Sequence, residues 1–452
     1  MLIENATVVT VDAADRVLDR AWIAITDGAI TAVSAEPIAP RPGEPRLDAT
    51  GKVVMPGLIN AHTHLFQVLI RGVYEELPFV EWLRRIYACG LALTEEDAYL
   101  SARSAAVEAL TSGTTTIVEH HFLNRVRDLP AATIDGMRSM GVRTVFARTA
   151  MDMGALAPSQ VLEAPDEAVA ACEALLASYQ AAVADPARML SVFVGPNTPG
   201  VSATAAMARA MTDLAQARGL RQSLHLAESR SVVRQVERDH GITGVARWLD
   251  AEGALRGPIL AAHSVHLDVD ELRLLAERDV AISHNPVSNM FLGDGIAPVW
   301  EALEQKVVVA LGTDGAASNN SQDMFEVMKV APLLQRARRE DASAVGPRQA
   351  LRMATIDGAR ALGLGDVIGS IEVGKRADLV VLDLEASPHT VAVHDVVSQL
   401  VHCAPSDAVS SVLVDGRLIV NEGRVAGIDQ QALLADAQAA GMDLVRRLSA
   451  IV

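Results

Sequence analysis

The amino-acid sequence predicts an α/β fold: a (β/α)8 barrel of the TIM type, inserted in a small composite β-sandwich domain that both chain ends build. Three observations predict it. Eight strand-like runs alternate with helical stretches, unusual polar residues follow those runs, and the composition is 50% hydrophobic but only 3% aromatic. A core of alanine, valine, leucine and isoleucine is typical of parallel strands covered by helices.

Short β-rich runs with Asp-Gly and Gly turn signals fill residues 1–55 and 366–428. The segment VLVDGRLIV, in which Asp-Gly stands between apolar runs, predicts a β-hairpin. Because both chain ends share this pattern of short β-rich runs and turns, we expect them to form one sheet domain. Residues 429–452 are predicted as a C-terminal helix, since 429–449 have apolar residues at helical spacing.

Between residues 56 and 365 the chain repeats a strand-then-helix pattern, which predicts the barrel. TEEDAYLSARSAAVEALTSG is one of the predicted helices. In such a barrel the active site assembles at the carboxyl ends of the strands. The strand-like runs, the first of which begins just before the barrel, are VVMPGLINAH, TTTIVEHH, RTVFARTA, LSVFVGPN, RQSLHLAE, ILAAHSVH, VAISHNP and VVVALGTD.

Charge and cysteine usage exclude several classes of protein. The net charge of -17 argues against a nucleic-acid partner, because phosphate contacts need clustered lysine and arginine. No stretch has the ~18 consecutive apolar residues of a membrane span, so we expect a cytoplasmic protein with no membrane partner. Cys89, Cys172 and Cys403 are isolated, which indicates reduced residues and no disulfide framework or thiolate metal site.

Polar residues at predicted strand ends have the chemistry of a catalytic metal site. His62 and His64 lie at the end of the first run, His225 lies in the fifth and Asp314 ends the eighth. A catalytic zinc takes nitrogen and oxygen ligands and keeps one position open for water. Barrel closure can bring these four side chains together, so we predict that they bind a metal ion.

Two further residues lie where they can move protons. Glu228 can face the site without binding the metal, and a carboxyl there can pass a proton from water to a ring nitrogen. His263 can polarise the attacking water or a developing oxyanion. His120 and His121 point to opposite faces of their strand, so at most one faces the barrel mouth, and the sequence leaves open which one.

The motifs PGLINAHTH, HLAE, AAHSVH, SHNPVSN, GTDGAASNN and GSIEVGKRADLVVLDL closely resemble, in this order, those of the amidohydrolase superfamily. Within it they are similar to the clade of S-adenosylhomocysteine/methylthioadenosine deaminases, 8-oxoguanine and isoxanthopterin deaminases, and triazine (atrazine-type) hydrolases. The resemblance implies a divalent metal ion, Zn2+ or alternatively Fe2+. Its implied ligands are His62, His64, His225 and Asp314, and the implied catalytic residues are Glu228, His263 and Asp314.

The lysine positions predict how many metal ions bind. Binuclear relatives use a carbamylated lysine on a middle strand as a bridging ligand. This chain has no lysine between its second and seventh predicted strands, since its lysines are Lys52, Lys306, Lys329 and Lys375. One metal ion is therefore expected, and the Asp314 carboxylate is then free to act also as a base.

The activity that the resemblance implies is that of an aminohydrolase, which acts on C–N bonds other than peptide bonds in cyclic amidines. Metal-bound hydroxide would attack an amine-bearing ring carbon, Glu228 would protonate a ring nitrogen, and ammonia would leave. The expected partners are a small heterocyclic substrate and further copies of the same chain.

Four residues are predicted to contact the substrate: Gln67, Trp82, Arg148 and Asn197. Adenosine-type members of the clade are similar to this chain at Trp82 and Arg148, but they carry an acid where it has RRIYACGLALT and GPHSP where it has GPNTP. A buried hydroxyl without a partner costs ~1 to 3 kcal/mol. The sequence therefore favours a free aminated heterocycle, namely an oxidised purine, a pterin or an s-triazine.

Other reactions stay open at this point. The same residues can serve an s-triazine chlorohydrolase or N-dealkylating hydrolase, or a deaminase of the S-adenosylhomocysteine/methylthioadenosine type. Glu228 favours deamination, because protonating the ring nitrogen helps to expel a poor leaving group. The missing mid-barrel lysine argues against cyclic-amide hydrolysis, and the complete ligand set argues against a metal-free binding protein.

Overall fold

The computed structural model describes residues 1–154 and 156–449, and in this part of the chain it contains two β-sheets. One is a mixed sheet to which both chain ends contribute, and the other is a parallel sheet of eight strands. The predicted α/β class and the barrel are therefore confirmed.

The mixed sheet begins at the amino terminus. Its first strands are β1 (Leu2–Val9), β2 (Val17–Thr26), β3 (Ala29–Ser34), β4 (Arg46–Asp48) and β5 (Val53–Pro56). The barrel follows with β6 (Leu58–Thr63), β7 (Thr114–His121), β8 (Arg143–Ala150), β9 (Leu190–Pro196), β10 (Gln222–Leu226), β11 (Ile259–His263), β12 (Val280–His284) and β13 (Val309–Leu311). The mixed sheet is completed by β14 (Leu379–Leu382), β15 (Val409–Val414), β16 (Arg417–Asn421) and β17 (Arg424–Val425).

The two chain ends meet at β5, which pairs with β1 in parallel and with β14 in antiparallel orientation. Asp-Gly turns join β2 to β3 and β15 to β16. In the second turn Asp415 and Gly416 both have positive φ, 53° and 72°, as a two-residue type I′ hairpin requires. The hairpin that the sequence predicts over VLVDGRLIV therefore forms.

The run VVMPGLINAH, predicted as one strand, is two strands in different sheets. The chain leaves β5 at Gly57 and enters the barrel with β6. A Cβ atom at Gly57 would lie 2.1 Å from Oγ1 of Thr115, so the crossing point has no room for a side chain. The sequence does not predict this break, because both halves are apolar and each half is buried in its own sheet.

Hydrogen bonds join the first barrel strand to the residues that directly follow the last one. The Asp314 amide donates to the carbonyl oxygen of His62 at 2.8 Å, and the Thr313 amide donates to Oδ1 of Asn60 at 3.0 Å. Closure thus places Asp314 beside His62 although the two residues lie at opposite ends of the barrel sequence.

Helices cover the barrel, and the longer ones alternate with its strands. Short 3₁₀ helices span Leu65–Ile70, Ser159–Val161 and Ser406–Ala408. The α-helices are α1 (Phe79–Ala92), α2 (Glu95–Thr111), α3 (Leu129–Ser139), α4 (Pro165–Ser178), α5 (Gln180–Val183), α6 (Ala205–Arg218), α7 (Arg230–His240), α8 (Val245–Ala251), α9 (Val269–Glu277), α10 (Pro286–Phe291), α11 (Val299–Glu304), α12 (Met324–Arg339), α13 (Pro347–Ala354), α14 (Ile356–Ala361), α15 (Val396–His402) and α16 (Gln430–Ser449).

The predicted C-terminal helix is α16, and residues 450–452 of that prediction lie outside the described residues. It packs against α1, α2 and the first 3₁₀ helix. Arg447 pairs with Asp97 at 2.7 Å, and Asp97 also forms a capping box with Thr94 at the start of α2. Within the described residues, no helix is both long and apolar enough to span a membrane.

A buried ion pair joins the barrel to the mixed sheet. Arg143 of β8 donates two hydrogen bonds of 2.8 Å to Asp378, which also accepts the Asp415 amide. Asp378→Ala would leave a buried guanidinium without its carboxylate, which costs about 3–5 kcal/mol. We expect the urea-unfolding midpoint to fall accordingly. Asp270→Ala, which removes an exposed carboxylate, should change stability by less than about 0.5 kcal/mol, and an equal effect of both variants would contradict the interpretation.

Candidate active site

The predicted metal ligands gather at the carboxyl end of the barrel. Nε2 of His62 lies 3.5 Å and Nε2 of His64 lies 3.4 Å from Oδ1 of Asp314. The His225 ring centroid lies 5.0 Å from that of His62. All four side chains are buried, and donor atoms of His62, His64 and Asp314 come within 4.8 Å of one another.

This cluster fits a divalent cation. Both ring nitrogens of His62 are buried without a hydrogen-bond partner among the described residues. Such an unpaired group is costly in a protein interior, and a metal ion is one way to satisfy it. Burial lowers the pKa of His62 to about 4, so the ring is neutral and can donate a lone pair.

The other two imidazoles are oriented by backbone carbonyls. Nδ1–H of His64 donates to the carbonyl oxygen of His120 at 2.7 Å, and Nδ1–H of His225 donates to that of Asn197 at 3.1 Å. In a neutral ring the other nitrogen then carries the lone pair. Both Nε2 atoms are therefore available as metal ligands.

Asp314 is held as a carboxylate with a fixed orientation. Its Oδ1 accepts the Gly315 amide at 2.7 Å, and its Oδ2 accepts the Ser288 hydroxyl at 2.6 Å. Burial raises the pKa of Asp314, but the imidazoles of His62, His263 and His64 outweigh it and hold the pKa well below its usual range. An ionised oxygen ligand and neutral imidazoles are the forms that bind zinc.

His120 faces the cluster and His121 does not. The His120 ring centroid lies 4.3 Å from that of His225, and His62, His120 and His225 form a second group of potential ligands. His121 instead packs against Phe146. Nε2 of His120 lies 3.0 Å from Oδ1 of Asn197, a contact that gives this ring a role other than metal binding.

Glu228 and His263 complete the acid-base set. Nε2 of His263 lies 3.6 Å from Oε1 of Glu228 and 3.8 Å from Oδ2 of Asp314, and its Nδ1 lies 2.9 Å from Oδ1 of Asn289. Burial, followed by the Asp314 charge, raises the pKa of Glu228 to about 8. A carboxyl in that range can carry a proton near neutral pH.

A cavity with an apolar, partly aromatic wall opens onto these groups. Three of the predicted substrate contacts, Gln67, Trp82 and Asn197, line it together with Glu228 and His263. The Trp82 indole N–H donates to the Ala317 carbonyl oxygen, and Gln67 Oε1 accepts the Ala317 amide, both at 3.2 Å. The apolar wall includes Phe79, Trp82, Leu83, Ile86, Tyr87 and Phe122.

Arg148, the fourth predicted substrate contact, does not line this cavity. Its guanidinium donates to Glu163 at 2.8 Å, and both side chains are buried beside Cys172. The positive charge is therefore neutralised within the protein. Among the residues that the structure describes, Arg148 is absent from the cavity lining.

Tyr87 and Ser202 also line the cavity, and no pattern in the sequence predicts them as site residues. Tyr87 follows Leu83 by one helical turn on α1, and this spacing is the same for a cavity wall as for an ordinary core face. Ser202 lies in the loop after β9, where no periodic signal exists. Only the tertiary structure could identify them.

Comparisons with known proteins agree with this geometry. A family model described as "Amidohydrolase family" matches residues 53–419. The 5-methylthioadenosine/S-adenosylhomocysteine deaminase of Pelotomaculum thermopropionicum is 36% identical over 452 residues, which cover 99% of each chain.

Two solved structures extend the comparison. An adenosine deaminase from Xanthomonas campestris with bound zinc is 32% identical, with a TM-score of 0.88 and 98% of each chain covered. The atrazine chlorohydrolase of Arthrobacter aurescens TC1 complexed with zinc is 27% identical, with a TM-score of 0.92, and the match covers 97% of this chain and 99% of that one.

Proposed function

This chain belongs to the amidohydrolase family, and we propose that it is a zinc-dependent hydrolytic deaminase of an adenosine-type nucleoside. The observation that carries the substrate class is the match to a methylthioadenosine/S-adenosylhomocysteine deaminase over 99% of both chains. A ring amine would be exchanged for oxygen from water, with ammonia as the second product.

We assign the zinc to His62, His64, His225 and Asp314. Support comes from the unpartnered nitrogens of His62, from the carbonyl contacts that leave two Nε2 atoms free, and from the zinc bound in two related structures. When bound, zinc supplies Lewis acidity that makes water a nucleophile near neutral pH.

Glu228 is assigned as the proton carrier. In its protonated form the carboxyl donates its proton to a ring nitrogen next to the carbon under attack, so that this carbon becomes more electrophilic. Asp314 accepts a proton from the attacking water, and His263 is placed to orient that water because its Nε2 faces both carboxyl groups. Protons returned to the leaving group release it as ammonia.

The substrate assignment differs from the one that the sequence favours. The preference for an oxidised purine, a pterin or a triazine depends on the missing acid and on Asn197. The relatives support the adenosine-type alternative better, since the deaminase of Pelotomaculum thermopropionicum is 36% identical to this chain and the atrazine chlorohydrolase is 27% identical. An adenosine-type substrate would therefore need other groups of the cavity in place of the missing acid and of the histidine that Asn197 replaces.

An s-triazine hydrolase is the second candidate, because the atrazine chlorohydrolase has the same fold with a TM-score of 0.92. Incubation of zinc-loaded protein with 5′-methylthioadenosine in isotopically labelled water separates the two. The deaminase predicts equal amounts of ammonia and of a labelled, deaminated nucleoside. Chloride release from atrazine without any deamination would overturn the proposal.

Zinc should also stabilise the fold. A ligand that binds only the folded state at 1,000 times its dissociation constant adds about 4 kcal/mol to the free energy of unfolding. We therefore expect a thermal midpoint several degrees higher for zinc-loaded protein than for protein stripped by a chelator. The His64→Ala variant should show a much smaller shift, and an equal shift would mean that zinc binds elsewhere.

A further inference from the structure

We propose that Tyr87 and Asn197 form a pair of hydrogen-bond donors that binds a ribose hydroxyl of the substrate, which makes Tyr87 a specificity-determining residue. The inference rests on the proposed function, since it names the part of an adenosine-type nucleoside that this wall contacts. Asn197 is predicted from the sequence as a substrate contact, whereas Tyr87 and the sense of both hydrogen bonds emerge from the structure.

Tyr87 has a hydroxyl without a strong partner. The side chain is 3% exposed and lines the cavity, and its hydroxyl donates to Sδ of Met151 at 3.3 Å. A thioether is a weak acceptor, and the described residues offer this hydroxyl no oxygen or nitrogen partner. Burial, and then the charge of Glu228, raise the pKa of Tyr87, so the phenol stays protonated. The Tyr87 hydroxyl can therefore donate its hydrogen to a substrate oxygen in place of the Met151 sulfur.

The orientation of the Asn197 amide follows from a chain of hydrogen bonds. The buried Ser223 hydroxyl lies 3.0 Å from Nδ1 of His120, and within the described part of the chain it has no other acceptor, so it donates to that nitrogen. The hydrogen of the His120 ring is then on Nε2, which donates to Oδ1 of Asn197 at 3.0 Å. The Asn197 amide therefore presents its NH2 group, and not its oxygen, on the other side.

Tyr87 and Asn197 both line the cavity, and their donors converge on one buried atom beside it, the sulfur of Met151. Nδ2 of Asn197 donates to Sδ of Met151 at 3.3 Å and to Oγ of Ser202 at 3.2 Å, and the Tyr87 hydroxyl donates to the same sulfur. The Ser202 hydroxyl also accepts the Thr198 amide at 3.1 Å, so its lone pairs are taken and the cluster offers the substrate two donors. A sugar hydroxyl oxygen has two lone pairs and can accept both hydrogens, whereas a purine ring nitrogen has one lone pair, so the hydroxyl fits this pair of donors better.

The test compares two substrates in two enzymes. Zinc-loaded wild type and Tyr87→Phe are assayed with adenosine and with 2′,3′-dideoxyadenosine, which share the base and the 5′-hydroxyl. For adenosine we expect kcat/KM of the variant to fall about tenfold, the loss that one missing hydrogen bond to a buried group produces. The loss should come from KM, with kcat within about twofold, because the contact is the same in ground and transition state. For the dideoxy substrate the change should stay below about twofold.

Two further variants serve as a negative control and as a test of the second donor. Tyr179→Phe removes a phenol hydroxyl that bonds to Asp135 outside the cavity, and it should leave both substrates unaffected. Asn197→Asp replaces the donor NH2 by an acceptor, and it should reproduce the selective loss on adenosine. Unchanged thermal midpoints would show that the variants are folded.

The outcomes separate this inference from the proposed function. Equal losses on both substrates would mean that Tyr87 contacts the base or supports the fold, and no loss on adenosine would mean that it contacts nothing. Either result overturns the inference alone. Failure of the wild type to deaminate either nucleoside, with turnover of a triazine, would overturn the proposed function and this inference together.

Discussion

Replacement of Glu228 by glutamine is expected to lower kcat by about 10²- to 10⁴-fold, the range that a positioned acid-base group contributes. Glutamine keeps the size of the side chain but cannot carry a proton between water and a ring nitrogen. Because Glu228 is not among the assigned ligands, the zinc content should stay at one ion per chain. Steady-state kinetics and elemental analysis of the same preparation measure both quantities.

The matched control is Glu277→Gln, which removes an exposed carboxyl at the end of α9. It should retain the activity of the wild type. If Glu228→Gln kept its activity within about twofold, Glu228 would have no catalytic role. If it lost zinc together with activity, Glu228 would be a metal ligand, and the assignment of ligands would have to change.

Replacement of His225 by alanine is expected to remove the zinc and the activity together. The loss of a supporting hydrogen bond to a ligand already costs roughly 10- to 100-fold in metal affinity, and loss of the ligand itself should cost more. Zinc titration with a competing chelator measures the affinity directly, without reference to turnover.

His240→Ala serves as the control for this experiment. His240 ends α7 and stacks on Trp248 with ring centroids 4.4 Å apart, outside the ligand cluster. This variant should bind zinc as tightly as the wild type. A His225→Ala protein with normal zinc affinity would show that His225 is not a ligand, and His120, the other imidazole in reach of His62, would then be the candidate.

The barrel could be predicted because its signal is repeated eight times. Each strand is an apolar run of limited length followed by a helix, and the order of parallel strands in such a fold follows the order in sequence. The break at Gly57 could not be predicted, since β5 and β6 are both fully buried and no change of periodicity separates them. Assembly of the chain into oligomers stays a prediction.

The ligand cluster could be predicted from the sequence for a similar reason. Residues at the carboxyl ends of barrel strands must converge, so His62, His225 and Asp314 could be grouped without coordinates. Side chains that approach the cavity from helices and loops follow no such rule. Arg148 lies on a barrel strand but turns to Glu163, whereas Tyr87 reaches the cavity from a helix.

The assignment as an adenosine-type deaminase is tested most directly by kcat/KM of the zinc-loaded protein for ammonia release. The substrates are 5′-methylthioadenosine, S-adenosylhomocysteine, adenosine, 8-oxoguanine and isoxanthopterin, and chloride release from atrazine is measured in parallel. We expect an adenosine-type nucleoside to be the preferred substrate, with kcat/KM of at least about 10⁴ M⁻¹s⁻¹. Deamination of only the oxidised purine or the pterin, or chloride release as the main reaction, would contradict it.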